Sequence, residues 1–247
     1  MHILVVTQYF WPESFRINDL VEELLHRGHE VTVLTGEPNY PSGSLFTDYK
    51  KDPTSFNFYK GCRVVRVPIT MRGQGSGRKL LLNYISYAFS ASILGLWRLR
   101  KERFDVVFVF QLSPVTIALP AILYKFFYKK PIIMWVQDLW PDSLEAVGVV
   151  RSPKVLNFIG KLVAFIYKRC DLILGQSKSF FNGISRYCSD ASKIHYFPNW
   201  SESCFSESNV DPINQISSYK GLKVHFPGKI GEAQDFASII KAAEILK

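Results

Sequence analysis

Residues 2–35 read HILVVTQYFWPESFRINDLVEELLHRGHEVTVLT, and their apolar pattern changes period twice. The nearly continuous apolar run His2–Thr7 predicts a strand that is buried on both faces. The next segment starts at Ser14, a predicted N-cap, and ends at Gly28, a predicted C′ residue; its apolar residues recur every three or four positions. Glu30–Thr35 predicts a second strand. Strand, helix and strand in this order indicate a βαβ unit.

The same alternation continues along the chain. Further strands are predicted at Cys62–Val67, Asp105–Phe110, Pro131–Val136 and Asp171–Gly175. Helices are predicted at Lys79–Arg103, Val115–Tyr128, Pro153–Arg169 and Lys178–Cys188. Residues 36–61 show little periodicity and are predicted to be a long loop. The series predicts an α/β fold with a Rossmann-like, doubly wound parallel sheet, whose ligands bind at the carboxyl ends of the strands.

Composition narrows the classes of function. The 247 residues are 47% hydrophobic, which excludes a disordered chain, and the net charge of +9 favours an anionic partner. A phosphorylated ligand, a membrane surface and a nucleic acid all fit that charge. The four cysteines form no C-x-x-C pair and no ligand cluster with histidine, and the opening MHILVVT lacks a basic n-region. These features predict free thiols and a cytoplasmic protein.

The turn after the first strand carries no glycine. A dinucleotide fold needs G-x-G-x-x-G there, so QYFWPESFR argues against a dehydrogenase. This turn places Glu13 and Arg16 at the carboxyl end of the first strand. Arg16 could pair with a phosphate or a carboxylate. Alternatively, Glu13 favours a helix N-terminus and Arg16 is solvated, and the residues alone leave both readings open.

The segment PIIMWVQDLWPDSLEAVG, residues 131–148, is the richest in candidate site residues. Its strand delivers Gln137, Asp138 and Trp140 to the carboxyl edge of the sheet. An amide and a carboxylate could bind sugar hydroxyls, and the indole could stack on a sugar ring. The alternative is that Asp142 caps the next helix and Trp140 belongs to the core. Asp138 and Asp142 have no third ligand near them in sequence, so we predict no metal site.

Four segments together resemble a known family: VTQYFWPESFRINDLVEELLHRGHEVTVLTGEPNYPSG, MWVQDLWPDSL, IHYFPNW and FPGKIGEAQDF. They are similar to the family 4 glycosyltransferases of the GT-B fold. The branch in question builds bacterial O-antigen (the polysaccharide part of lipopolysaccharide), capsule and colanic acid, and it includes N-acetylfucosaminyl transferases. YPSG and QDLWPDSL are the most discriminating segments. Departures are Ser14–Asn18 in place of a G-G pair, Ala233-Gln234 in place of K-G, and Gln137-Asp138 in place of a histidine.

The resemblance implies a domain organisation. Residues 1–200 are expected to form the acceptor-binding domain, residues 201–221 a linker, and residues 222–247 the first strand and helix of the donor domain. The E-x7-E donor motif would lie beyond Lys247. On this reading the chain is a truncated enzyme that is inactive by itself.

The resemblance also implies a reaction. A retaining hexosyltransferase would move a sugar, an N-acetylated deoxyhexose, from a UDP-sugar to an undecaprenyl-pyrophosphate-linked sugar, with no metal and no cofactor besides the nucleotide sugar as co-substrate. Asp138 is the expected catalytic residue, orienting reacting hydroxyls or the developing positive charge. The expected substrate-binding residues are Glu13, Arg16, Asn39, Tyr40, Gln137, Trp140, Gly228 and Lys229. Of these, Gly228 and Lys229 would approach the donor diphosphate, and Asn39 and Tyr40 are the weaker candidates.

Residues 80–97 are uncharged, which is just long enough to cross a membrane. Asn83 and several hydroxyls make this a poor span, and basic residues flank both ends. We therefore predict peripheral attachment to the anionic inner face of the cytoplasmic membrane, with a core helix as the alternative. Other functions left open are a non-catalytic membrane-docking or binding module and a UDP-sugar epimerase. No nucleic acid partner is expected.

Overall fold

The computed structural model describes residues 1–73, 77–201, 223–226 and 235–246. Eight strands form one sheet in the order β3-β4-β2-β1-β5-β6-β7-β8. The strands are β1 His2–Val6, β2 Glu30–Gly36, β3 Phe58–Tyr59, β4 Cys62–Val67, β5 Val106–Gln111, β6 Ile132–Val136, β7 Leu172–Gly175 and β8 Ile194–Tyr196. All neighbouring pairs are parallel except β3 and β4. The predicted α/β class and the six predicted strands are confirmed.

Helices cover both faces of this sheet. The helices of the described residues are α1 Arg16–His26, α2 Thr47–Lys51, α3 Gly77–Ser90, α4 Leu96–Leu99, α5 Leu119–Tyr128, α6 Asp142–Ala146, α7 Pro153–Arg169, α8 Phe180–Ser185 and α9 Phe236–Ile245, of which α9 has no buried residue. Short 3-10 turns lie at Pro53–Phe56, Val115–Ala118 and Ala191–Lys193. The predicted helix Lys79–Arg103 spans Gly77–Leu99 instead, and a π-helical turn at Ala91–Gly95 joins α3 to α4.

The strand order creates a topological switch point between β1 and β5. From β1 the chain moves outward through β2 to β4, and it then returns to the other side of β1 and continues through β5, β6, β7 and β8. Ligands of open α/β sheets bind in the crevice that forms where the order reverses, outside the carboxyl ends of the strands. The loops after β1, β2, β4, β5 and β6 therefore define the region where a site is expected.

The strands separate two apolar clusters because successive side chains point to opposite faces of the sheet. On one face, Ile3 and Val5 of β1 pack with Ile17 and Val21 of α1. On the other face, Leu4 and Val6 belong to a larger cluster that includes side chains of the 3-10 turn at Val115–Ala118 and of α5 and α7. Burial on both faces explains why the β1 sequence is apolar throughout instead of alternating.

The start of α1 differs from the prediction. Phe15, not Ser14, is the N-cap residue, and no side chain caps the helix. Asn18 holds the preceding turn instead: its Nδ2 donates to the Glu13 carbonyl at 2.8 Å, and its Oδ1 accepts from the Trp11 N–H at 3.3 Å. The predicted helix end is confirmed, because Gly28 follows the C-cap Arg27 with φ +77°.

Three short elements in the predicted loop 36–61 were missed. This segment contains α2, a 3-10 turn and β3, and β3 pairs antiparallel with β4. The pairing of β3 with β4 joins residues that are close in sequence. A two-residue strand is nevertheless too short to show a periodic pattern in the sequence. The other missed strand, β8, extends the opposite edge of the sheet.

The predicted start of a donor domain is only partly described. Residues 223–226 form no strand, which contradicts the strand expected from residue 222 onward. A strand requires a neighbour to pair with, and the described residues offer none at this place. The helix was correctly predicted, and in α9 Ile239 and Ile240 are exposed. Gly228 and Lys229 lie outside the described residues.

Candidate functional site

Glu13 is buried at the carboxyl end of β1, with only 2% of its surface exposed. Its Oε1 accepts the backbone N–H groups of Asn39 at 2.9 Å and Tyr40 at 2.7 Å, and its Oε2 accepts the N–H of Phe10 at 3.2 Å. Burial nevertheless raises the pKa of Glu13 to about 7, against the lowering effect of these three N–H donors and of nearby Arg66. Glu13 therefore joins the loops after β1 and β2 from beneath the cleft.

The loop after β2 contains the YPSG segment, and the structure explains its glycine. Gly43 has φ +78°, and a Cβ there would lie 2.1 Å from the carbonyl oxygen of Gly73. The N–H of Gly43 donates to the Asn39 carbonyl, and the N–H of Gly73 donates to the Gly43 carbonyl. The backbone of this loop therefore lies directly against the loop that follows β4, with no space for a side chain between them.

The side chain of Asn39 binds backbone groups of two loops and does not face the cleft. It is fully buried, its Nδ2 donates to the Glu37 carbonyl at 3.0 Å, and its Oδ1 accepts from the N–H of Arg72 at 3.4 Å. Tyr40 is different because its ring is partly exposed. Asn39 thus holds the loops, and Tyr40 contributes to the cleft surface.

Aromatic rings and one arginine form a wall above Glu13. The ring of Tyr9 stacks on Phe15 with centroids 5.4 Å apart, and both rings contact Tyr40. The guanidinium of Arg72 lies over the Tyr40 ring at 5.0 Å. Such a wall offers apolar ring faces together with a positive charge, a combination that suits a sugar carrying a phosphate group.

A buried polar network connects β1 to α3. The Nε2 of Gln8 donates to the Oδ1 of Asn83 at 2.6 Å, and the hydroxyl of Tyr9 donates to the same oxygen at 3.3 Å. Asn83 in turn donates to the Thr70 carbonyl at 2.6 Å. Gln8 and Asn83 are fully buried. In the sequence Asn83 interrupts an apolar run, and that interruption is the signal of a polar contact.

Asp138 lies at the carboxyl end of β6 and is held by two donors. Its Oδ2 accepts from the Oγ of Ser113 at 2.7 Å and from the Nε1 of Trp140 at 3.0 Å, and Trp140 also donates to Ser113 at 2.8 Å. Tyr84 of α3 hydrogen-bonds to Ser113. Burial raises the pKa of Tyr84, and the Asp138 carboxylate adds to this effect whereas Arg72 opposes it. Tyr84 therefore links the aromatic wall to Asp138 across the switch point.

Two glutamine side chains near Asp138 have buried atoms without partners among the described residues. Gln111, at the end of β5, donates through Nε2 to the carbonyls of Leu112 and Asp138, but its Oε1 accepts no hydrogen bond. The Nε2 of Gln137 is also without an acceptor. Unpaired buried polar atoms are costly, so atoms of this kind at a crevice commonly bind a ligand or water.

The structure brings Glu13, Tyr40, Gln137, Asp138 and Trp140 to one edge of the sheet. Arg16 is partly buried in the first turn of α1. Asp142 does not cap the helix that follows Trp140: it is the first residue of α6 and forms an ion pair with Arg186. Trp140 is partly buried and uses its indole N–H on Asp138. Tyr9, Arg72, Tyr84 and Ser113 are the site residues that sequence reasoning missed.

In the described part of the chain, no group of three His, Cys, Asp or Glu residues could hold a metal ion.

The sheet order, the position of the crevice and its polar residues define a Rossmann-like α/β domain of the GT-B type. A model of the glycosyl transferase 4-like domain matches residues 14–200, and the chain belongs to this family. The predicted resemblance is confirmed.

One relative in sequence and one solved structure with the same fold illustrate what the chain is similar to. The chain is 27% identical over 263 residues to the putative colanic acid biosynthesis glycosyl transferase WcaI of Escherichia coli (strain K12), covering 100% of this chain and 63% of WcaI. The chain thus spans less than two thirds of the length of that relative. The crystal structure of Arabidopsis thaliana UGT89C1 shares the fold, with a TM-score of 0.54, 13% identity and coverage of 87% of this chain and 53% of that chain.

Proposed function

We propose that this chain is the acceptor-binding part of a retaining glycosyltransferase that acts in bacterial surface polysaccharide synthesis. The donor is a UDP-sugar, an N-acetylated deoxyhexose, and the acceptor is a sugar linked to undecaprenyl pyrophosphate. The observation that carries this proposal is the Asp138 carboxylate, held by Ser113 and Trp140 beside the switch point. Membership of the glycosyl transferase 4-like family and the similarity to WcaI support the class of reaction.

The residues of the cleft have different roles in this proposal. Asp138, whose Oδ2 is fixed by two donors, orients reacting sugar hydroxyls or stabilises positive charge that develops on the transferred sugar. Tyr40 and the other rings of the aromatic wall pack against the acceptor sugar, and Arg72 faces its pyrophosphate. Glu13 keeps the two loops in place from below. Basic groups and backbone amides of the donor side neutralise the leaving diphosphate.

A lipid-linked acceptor lies in a membrane, so the protein needs a surface that contacts lipid. Helix α3–α4 (Gly77–Leu99) has an apolar surface suited to this contact. This helix is the one among the described residues that is long and apolar enough to span a membrane, and 28% of its most apolar window is buried. Two of its buried side chains, Asn83 and Tyr87, contact the residues after β1 through hydrogen bonds. Its apolar outer face consists of exposed side chains: Leu81, Leu82, Ile85, Phe89, Ile93 and Trp97.

We infer that this apolar outer face lies in the headgroup region of an anionic membrane. On the neighbouring helix α5, Phe126 and Phe127 are exposed as well. Cations accompany these rings: the Arg100 guanidinium lies 4.2 Å from the Trp97 ring centroid, and the Lys129 ammonium lies 5.2 Å from that of Phe126. Exposed apolar groups beside basic groups are typical of peripheral attachment to anionic lipid.

The test of the reaction uses the protein at its full encoded length. UDP-sugars and an undecaprenyl-pyrophosphate-linked sugar are supplied, and transfer is measured by mass spectrometry of the lipid product. Asp138→Asn should lower kcat by roughly a hundredfold or more, since it removes a charge that acts on the transition state. The matched control is Asp142→Asn, which removes a nearby aspartate at the start of α6, and its turnover should stay within about threefold of wild type.

Normal turnover of Asp138→Asn would remove Asp138 from the mechanism. Absence of transfer by the wild-type protein with every UDP-sugar would contradict the proposed reaction itself. Measurable transfer by residues 1–247 alone would contradict the two-domain account, because catalysis there requires donor and acceptor to be held in one closed cleft.

A further inference from the structure

A cavity of about 290 Å³ lies at the outer edge of β4, beside the candidate site and separate from it. Its lining includes Tyr49, Asn57, Phe58, Arg63, Arg66 and Arg98. Three of the lining residues are arginines, and none is acidic. The volume is near the lower end of the range for small-molecule sites. The position follows from the sheet: β3 is two residues long and pairs only with Cys62 and Arg63, so the rest of β4 has no strand on its outer side among the described residues.

Arg66 is the central residue of this cavity. It is 5% exposed, and it donates hydrogen bonds to the carbonyls of Gly36 and Trp11. Its Nε is buried without a partner among the described residues. In the same part of the chain no carboxylate forms an ion pair with Arg66. The Tyr49 ring lies 5.5 Å from the guanidinium, and the charges of Glu13 and Glu37 act on it without forming an ion pair. A buried guanidinium without an ion pair favours an anion as its complement.

The other two arginines add to this charge. Arg98 of α4 donates to the carbonyl of Arg66, and Arg63 pairs with Glu102. The charge of Glu37 acts on both Arg66 and Arg98, and the charge of Glu13 acts on Arg66 as well. Burial raises the pKa of Glu37, against the lowering effect of the Ile69 N–H and of the two arginines. Neither glutamate lines the cavity, and among the described residues the guanidinium groups of Arg66 and Arg98 form no ion pair, so the charged groups that line the cavity are positive.

We propose that this cavity binds a phosphate group, with Arg66 at its base and Arg98 and Arg63 at its rim. Guanidinium groups match the oxygens of a phosphate through paired N–H donors, and a phosphate carries up to two negative charges. Arg98 follows the exposed Trp97 in sequence. The phosphate can therefore belong to a lipid headgroup or to a soluble molecule, since both offer the same chemistry. This inference does not depend on the proposed transfer reaction.

Inorganic phosphate is the probe for the first test. Its dissociation constant is measured by calorimetry and thermal shift on the full chain, with chloride at equal ionic strength as the reference. We expect Arg98→Gln to weaken phosphate binding about tenfold, the loss that one charge-assisted hydrogen bond produces. Arg63→Gln should weaken it less, because Arg63 is shared with Glu102. Arg66 is left unchanged because its hydrogen bonds also hold two loops.

The control is Arg27→Gln, which removes an exposed arginine of α1 that pairs with Glu23 outside the cavity. Its phosphate affinity should equal that of wild type. If chloride and phosphate act alike, or if Arg98→Gln and Arg27→Gln change phosphate affinity equally, the cavity is not a phosphate site.

Vesicles distinguish the two sources of phosphate. Vesicles of phosphatidic acid and of phosphatidylglycerol are compared at equal surface potential. A preference for phosphatidic acid that Arg98→Gln abolishes and Arg27→Gln keeps assigns the cavity to a lipid phosphate. Equal binding to both lipids, together with a tenfold weaker binding of inorganic phosphate by Arg98→Gln, assigns the cavity to a soluble phosphate compound. Either result supports the site.

Discussion

Glu13 shows how a single residue can be correctly located and yet act differently from what its sequence suggests. Sequence analysis places it at the carboxyl end of β1 and predicts that it lines the acceptor cleft. The structure confirms the location, but the side chain is buried and its two oxygens accept three backbone N–H groups. Its effect on the cleft is therefore exerted through Asn39 and Tyr40.

The raised pKa of Glu13 makes the stability of the protein depend on pH. The pKa is about 7 in the folded protein and 4.5 for the unperturbed group, so between these values the folded state binds more protons than the unfolded state. Stability then falls as pH rises through this interval, by roughly 3 kcal/mol in total. Urea unfolding at about pH 5 and about pH 8 should show this loss.

Glu13→Gln should remove that component of the pH dependence, because an amide does not titrate. Glu23→Gln is the control: Glu23 lies on the exposed face of α1, paired with Arg27, and its replacement should leave the pH dependence unchanged. An identical pH profile for wild type and Glu13→Gln would show that Glu13 is ionised throughout.

At the scale of one element, helix α3–α4 has one face that contacts the sheet and one face that is exposed. Asn83, Tyr84 and Tyr87 reach the carboxyl edge of the sheet, whereas the apolar outer face points away from the protein. The helix is not buried on all sides, because its large apolar side chains are on the exposed side. A membrane that contacts the outer face would lie one helix diameter, about 10 Å, from the polar network of the site.

Polar substitution of the outer face should separate membrane binding from folding. In the triple variant Leu82→Gln, Ile85→Gln and Phe89→Gln, each replaced side chain is more than half exposed, so the free energy of unfolding should change by less than about 1 kcal/mol. Binding to anionic vesicles should weaken at least tenfold, because each apolar side chain loses about 1 kcal/mol of insertion free energy. Co-sedimentation measures the binding.

Tyr196→Gln is the matched control, since Tyr196 is an exposed apolar residue on β8, at the far edge of the sheet. It should bind vesicles as wild type does. Binding should also weaken with salt, and equal binding of wild type to neutral vesicles would contradict the electrostatic part of the proposal. If the triple variant binds normally but changes its oligomeric state, the face contacts a second copy of the chain instead.

At the scale of the whole molecule, the reactivity of the cysteine thiols measures whether the core is folded. Cys62, Cys170 and Cys188 are free and buried. Burial raises the pKa of Cys62 and of Cys170 to about 12, so almost no thiolate is present at neutral pH. In the native protein these three thiols should react with a thiol reagent only when the domain opens.

In denaturant without reductant, four thiols should react, as expected for a chain whose four cysteines are all reduced. The protection of the three buried thiols should disappear at the same urea concentration as the secondary structure. Fewer than four reactive thiols in denaturant would reveal a disulfide and contradict the cytoplasmic assignment.

Sequence alone predicted the α/β class, six of the eight strands, the end of α1 at Gly28 and the placement of Asp138 at the carboxyl edge. These features depend on local information: apolar residues at a period of two or in continuous runs for strands, at three- and four-residue steps for helices, and a glycine where φ is positive. The family resemblance added the class of protein through segments that this local pattern does not explain.

Only the tertiary structure decided which polar groups meet. The Gln8–Asn83 contact joins residues 75 positions apart, and Ser113 and Asp138 are 25 positions apart. The cavity that we propose as a phosphate site lies at the outer edge of β4, where β3 pairs with only two residues. Whether the apolar run of α3 faces the core or the solvent was equally undetermined in sequence. The physical reason is common to all of these: contacts between elements depend on strand order and helix rotation, and neither is encoded in the spacing of residues within one element.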